Sequence, residues 1–138
     1  MGSRRDGREA AVQFLYNRDL DPDLDAEGFD AFFKLRMARA SVQKFAAELA
    51  RGVIEHRPEI DARIADTVEN FELERLSAVD RNVLRLAVYE MFHCEDTPPI
   101  VALNEAIEIS KRFGTEESGG FVNGVLDKLK DQLTRPLR

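Results

Sequence analysis

The sequence predicts an all-α protein, with about seven helices in a single domain. Apolar residues recur at spacings of three and four along most of the chain, which is the period of one helical face. No segment alternates apolar and polar residues in the manner of a half-buried strand, and no internal repeat or low-complexity stretch interrupts the pattern. At 138 residues the chain is long enough for one domain with a sizeable core and too short for two ordinary ones.

The first helix covers residues 4–20, with Ala11, Val12, Leu15 and Tyr16 on or near its inner face. Its leading turn carries Arg4, Arg5 and Arg8. Positive charge at a helix N-terminus opposes the macrodipole, so local stability does not ask for these arginines. The acidic turn DPDLDAE follows, and then a short second helix bearing Phe29, Phe32, Phe33 and Arg36. Ser41 is placed to cap a third helix, in which Val42, Phe45, Ala46, Leu49, Ala50, Val53 and Ile54 repeat cleanly. Pro58 ends that helix or begins the fourth, whose narrower stripe is Ile60, Ile64, Val68 and Phe71.

After a connector over 71–76, Ser77 caps the fifth helix, with Asp80 three residues on as a weak capping box. Val79, Val83, Leu84, Leu86, Ala87, Val88, Met91 and Phe92 cover well over half of its circumference, which marks it as the central helix. Pro98 and Pro99 suit the first turn of a sixth helix, where a missing N–H costs nothing. Its face is Ile100, Leu103, Ala106, Ile107 and Phe113, and Gly114 is expected to stop it in the left-handed conformation. Residues 115–120 form a turn, with Ser118 as N-cap of a seventh helix faced by Phe121, Val122, Val125, Leu126, Leu129 and Leu133. Asn104 and Asn123 stand where apolar residues would be expected. An inward amide must find partners or lose about 1–3 kcal/mol, so both are read as fixing helix register.

Composition narrows the class. Hydrophobic content of 43% beside 33% charged residues is that of a soluble globular protein. No apolar run approaches the roughly 18 residues of a membrane span, and no apolar stretch of the secretory kind follows the charged N-terminus. The single Cys94 excludes an internal disulfide and fits a reducing cytoplasm. A net charge of −6 argues against nucleic-acid binding by bulk electrostatics. Its distribution softens that argument, because residues 1–20 hold four arginines against three acids and 21–80 hold eight bases against fourteen acids. Fifteen of the twenty cations are arginine, the side chain suited to bidentate phosphate contact and to stacking.

No catalytic constellation emerges from the spacing. His93 and Cys94 are adjacent and diverge by about 100° on a helix, His56 is far away in sequence, and no CxxC or HExxH supplies further ligands. Gly119 and Gly120 precede Phe121 without a GxGxxG or Walker pattern and without a leading strand. The chain is read as a non-enzyme, with no cofactor and no metal.

The strings NEAIEISKRFG and FVNGVLDKL, joined by a short polar turn, resemble the C-terminal signature of the NusB family of transcription antitermination factors. REAAVQFLY at 8–16 and DRNVLRLAVYEM at 80–91 resemble the same family in the same order, so that the likeness runs from Arg4 to about Leu129, with 20–75 matching in helical pattern alone. The resemblance implies two small helical bundles packed across each other, about 4–57 and about 59–134. It also implies a bacterial-type, cytoplasmic factor that binds boxA-type single-stranded RNA together with the ribosomal protein NusE in the transcription elongation complex, supporting transcription of ribosomal RNA operons.

By the same resemblance, Arg4, Arg5, Arg8, Tyr16, Arg85 and Phe121 are RNA-contact positions and Asp80 and Glu117 are partner positions, with Glu90, on the same helix as Asp80, a lesser partner candidate. Asp6 and Gly7 interrupt the usual denser basic run; Asp6 cancels a charge, and Gly7 loosens the helix start by roughly 1 kcal/mol relative to alanine. Phe121 follows two glycines that leave its face uncovered, and Asp80 is one methylene shorter than the family's common glutamate. Two alternatives belong to other classes. One is a helical protein–protein adaptor or homodimer of the same fold without significant RNA binding, favoured by the broken basic motif and the acidic charge. The other is an enzyme fragment, because the fold also occurs as the N-terminal RNA-binding domain of ribosomal RNA cytosine methyltransferases. The residues given include no nucleotide-binding βαβ unit, so methyl transfer is not expected.

Overall fold

The computed structural model describes residues 3–24, 26–36, 39–68 and 73–138. Among them are seven α-helices and no strand: α1 (Ser3–Leu20), α2 (Ala26–Arg36), α3 (Ala40–Glu55), α4 (Arg57–Val68), α5 (Ala78–His93), α6 (Pro99–Phe113) and α7 (Ser118–Leu129). Short 3₁₀ turns at Leu73–Arg75 and Lys130–Gln132 precede α5 and follow α7. The all-α expectation and the helix order hold. Phe71 and the side chains of Phe29 and Arg36 lie outside the described residues.

Helix α5 touches α1, α3, α4, α6 and α7. The reason is in its sequence: from Asn82 to Met91 every side chain except Tyr89 is buried, so no face is left for water. Ser77 caps it as expected, its Oγ accepting the Asp80 N–H at 3.1 Å. Helix α1 lies chiefly on α3 and delivers Ala10, Ala11, Phe14 and Leu15 to the core. Tyr16 departs from the expected inner face and is 37% exposed. Phe14 meets Phe32 edge-on at 5.6 Å and Phe33 at 5.6 Å, fastening α2 to α1.

Three local expectations change. Ser41 lies within α3 instead of capping it; the N-cap residue is Arg39, which makes no side-chain cap bond. Gly114 is extended (φ −96°, ψ −160°) and not left-handed. Glycine is needed there for closeness, since a Cβ would overlap Ser118 Oγ and stand 2.8 Å from the Ser110 carbonyl. Ser118 is the first residue of α7, not its cap, and its Oγ accepts the Thr115 N–H at 2.9 Å, which ties the turn. Asn104 and Asn123 are both exposed, so the inward register role assigned to them is corrected: each amide faces solvent.

The C-terminal tail closes the end of α5. The Arg135 guanidinium donates to the carbonyls of Glu90, Met91, Cys94, Glu95 and Thr97 at 2.8–3.2 Å. A cation at a helix C-terminus satisfies the orphan carbonyls and complements the dipole. The Ile100 N–H, donating to the Leu137 carbonyl at 2.8 Å, pins the tail to the start of α6.

Candidate functional site

The N-terminal arginines line an open groove of about 440 Å3 together with Asp96, Thr97, Pro98, Val101 and Glu105. A second groove of about 640 Å3 shares Arg4, Asp96 and Thr97 with it and continues past Lys44, Phe45 and Tyr89. The two form one surface between the start of α1, the start of α3 and the loop from α5 to α6.

The three arginines differ in what holds them. Arg4 is exposed and stacks its guanidinium over the Phe45 ring at 4.3 Å, with no carboxylate partner among the described residues. Arg5 grips Glu105 in two-pronged fashion, at 3.0 and 2.7 Å. That hydrogen bond, opposed by burial and reinforced by the charges of Arg5 and Arg8, holds the Glu105 carboxyl below the usual carboxylate range. Arg8 is interior: its Nε and Nη2 donate to Glu90 at 2.8 and 2.9 Å, both side chains nearly sealed from water. Gly7, expected only to loosen the helix, makes this packing possible, because a Cβ there would lie 2.6 Å from Phe45 Cδ2.

Arg85 is also interior. It bonds Asp61 at 2.8 and 3.2 Å and Asp19 at 3.1 Å, inside a network that adds Arg81 and Asn82. Burial pushes Asp19 upward, but the Asn82 hydrogen bond and the Arg85 and Arg81 guanidiniums outweigh it, and its carboxyl ends below the ordinary value. The placement of Arg8, Arg85 and Glu90 therefore differs from that of surface contact groups. Each sits in a buried ion pair, because a charge on the all-round buried face of α5, or facing it, must be matched inside the protein.

Phe121 is half-buried on α7 and packs against the core edge. Gly120 and Gly124, which flank it, are exposed, and a Cβ at either would meet nothing within 4 Å. Nearby on the chain, Arg112 reaches from α6 to Glu9 of α1 at 2.9 Å while lying over the Phe113 ring. Asp80 is partly buried at the start of α5, and its Oδ1 is buried without a hydrogen-bond partner among the described residues. Glu117 is exposed just before α7. Asp80 and Glu90 stand ten residues apart, about 15 Å along the helix, so they do not form one patch.

Sequence reasoning missed Glu105, Phe45 and Lys44, which shape the groove, and Asp19 and Asp61, which hold Arg85. A charge placed on an otherwise apolar helix, as Arg85 and Glu90 are, is the signal that would have pointed to internal partners. It also separated His56 from His93 on the ground of distance along the chain. The fold stacks their rings at 4.1 Å, with Glu59 beside them.

The NusB family model matches residues 5–131. The transcription antitermination protein NusB of Desulfosudis oleivorans is 44% identical over 137 residues, covering 96% of this chain and 88% of the relative. A solved structure of T. maritima NusB superposes with a TM-score of 0.85 at 38% identity, covering 96% of this chain and 93% of that one. A structure of antitermination factors NusB and NusE in complex with dsRNA superposes with a TM-score of 0.85 at 28% identity, covering 96% of this chain and 99% of that one. With the family model matching residues 5–131 and a NusB relative 44% identical over a stretch covering 96% of the sequence, this chain belongs to the NusB family.

Proposed function

We propose that this chain is a transcription antitermination factor that binds boxA-type RNA together with the ribosomal protein NusE, in the cytoplasm, and supports transcription of ribosomal RNA operons. Membership of the NusB family over residues 5–131 carries the reading, and the related NusB–NusE–dsRNA structure supports the choice of partners. The mechanism is binding. Arg4, poised on Phe45, supplies a guanidinium to a phosphate, and Arg5 joins it by exchanging Glu105 for the RNA. Phe121, approached over Gly120 and Gly124, and the exposed Tyr16 offer rings on which bases stack. Arg8 and Arg85 act from inside, as positioning residues that hold α1 and α4 to α5.

NusE is proposed to dock near the start of α5 and the exposed Glu117. The partly buried Asp80 offers its carboxylate charge to a cation of the partner at this point. The chain's own acidity fits a factor that relies on a partner for charge. RNA titrations with a boxA-like strand and a scrambled strand, with and without NusE, test the proposal: selective binding strengthened by NusE supports it.

One observation favours a second reading, a homodimer or adaptor without significant RNA binding. Arg5 and Arg8 already have carboxylate partners inside the molecule, which lowers the charge available to RNA. Sedimentation across a concentration series distinguishes the two readings, since only the second requires self-association or a protein partner in place of RNA.

A further inference from the structure

We propose that His56, Glu59 and His93 form a binding site for a divalent cation of the zinc class. The three residues come from two junctions that the fold brings together. His56 is the C-cap of α3 and Glu59 lies in the first turn of α4, three residues on, so the pair faces one way. His93 is the last residue of α5. One ligand atom from each of the three lies within 4.8 Å of the others, and His93 Nε2 stands 3.0 Å from Glu59 Oε1.

The chemistry of this set is that of an open zinc site: two imidazoles and one carboxylate, with a fourth position left for water. Metal–nitrogen bonds of about 2.0–2.1 Å put tetrahedral ligand atoms roughly 3.3 Å apart. A contraction of up to about 1.5 Å, from the 4.8 Å spread to tetrahedral spacing, with the rings turning out of their 16° stack, closes the set around an ion. The C-terminus of α3 favours positive charge here, offset by the N-terminus of α4 that follows it, while the carbonyls at the end of α5 are already met by Arg135. The ring pair is also braced. Tyr89 stacks at 6.0 Å from His56 and 5.9 Å from His93, and it sits so close to α3 that a Cβ on Gly52 would overlap its ring.

Arg63 is the competitor, since its Nε donates to Glu59 Oε2 at 3.1 Å. His93 Nε2 lies against both carboxylate oxygens, 3.0 Å from Oε1 and 3.2 Å from Oε2, so Arg63 shares Oε2 and only Oε1 faces the histidine alone. His93 also lines the 640 Å3 groove, so a bound ion would sit at its wall. The inference itself does not depend on RNA binding.

The test is calorimetric titration of chelator-treated full-length protein with zinc chloride. One ion per chain is expected for the wild type, with loss of that binding in His56→Gln and His93→Gln, weakening in Glu59→Gln, and no change in Cys94→Ser. Histidine ring resonances of the wild type give a measure independent of any variant's folding, and both should shift together on the first equivalent. The proposal is overturned if wild-type protein takes up no zinc. It is likewise overturned if folded histidine variants bind as well as wild type, if Cys94→Ser abolishes binding, or if fewer than two ring signals respond.

Discussion

Arg8 and Glu90, eighty-two residues apart in the chain, meet in a two-pronged ion pair at 2.8 and 2.9 Å with almost no contact with water. This pair joins the start of α1 to the end of α5, and Thr97 adds a hydroxyl to the same carboxylate at 3.3 Å. Removing one partner strands the other. Glu90→Gln should cost about 3–5 kcal/mol, the range for breaking a buried pair, whereas Arg8→Met combined with Glu90→Leu should recover most of it. Urea denaturation of the three proteins checks this, and a cost below about 1 kcal/mol for Glu90→Gln would remove the pair from the account.

The Asp19 network predicts a pH dependence. A carboxylate whose folded-state value is lowered contributes stability above its unfolded value, and that contribution is lost as pH falls through the folded value. For this group stability should be level from neutral pH to about 5, and should decline below about 3.9, the ordinary aspartate value. Glu105 and Glu59, also lowered, add to the decline in the same direction. Asp19→Asn should be less stable at pH 7 and should show a shallower acid decline. Denaturation midpoints at several pH values decide it, and an unchanged slope would contradict the assignment.

The helical glycines of α7 separate stability from binding. At Gly120 and Gly124 nothing stands within 4 Å of an added Cβ, so alanine should stabilise the fold by about 0.5–1 kcal/mol each through helix propensity alone. If RNA approaches Phe121 across this bare backbone, the same substitutions should weaken RNA binding while raising the melting temperature. Melting and RNA titration of Gly120→Ala, run side by side, show whether the two properties move in opposite directions.

Much of the fold was legible because helical burial writes a period into the chain. The all-round apolar α5 and the Ser77 cap followed from spacing and residue type, as did the proline start of α6. What the sequence concealed were pairings across the chain. Arg8 with Glu90, Arg85 with Asp19 and Asp61, and His56 with His93 are adjacent only after α1, α3 and α4 pack on α5. Direction was the other gap. Asn104 lies on the side of α6 opposite its buried residues and Asn123 on the exposed flank of α7, so the letters around them misstate their facing, and Gly114 is dictated by the approach of Ser118 instead of by a positive φ.

Arg4 and Arg8 should respond differently in salt. Arg4→Ala should leave the melting temperature within a degree or so of wild type, as a surface change, and should reduce the salt slope of RNA binding by about 0.7, one single-strand phosphate contact. Any effect of Arg8→Met combined with Glu90→Leu should track stability, because the guanidinium is inside. An Arg4→Ala protein with an unchanged slope would move the phosphate contact elsewhere.

The most direct measurement is a titration of this chain, with NusE present, against a boxA-like RNA and a scrambled strand, in wild type and Phe121→Ala. The boxA-like strand should be preferred, and Phe121→Ala should lose the equivalent of about 1–3 kcal/mol, the contribution of one stacked base. Equal and weak binding of both strands, unaffected by NusE and by Phe121→Ala, would contradict the RNA-binding proposal.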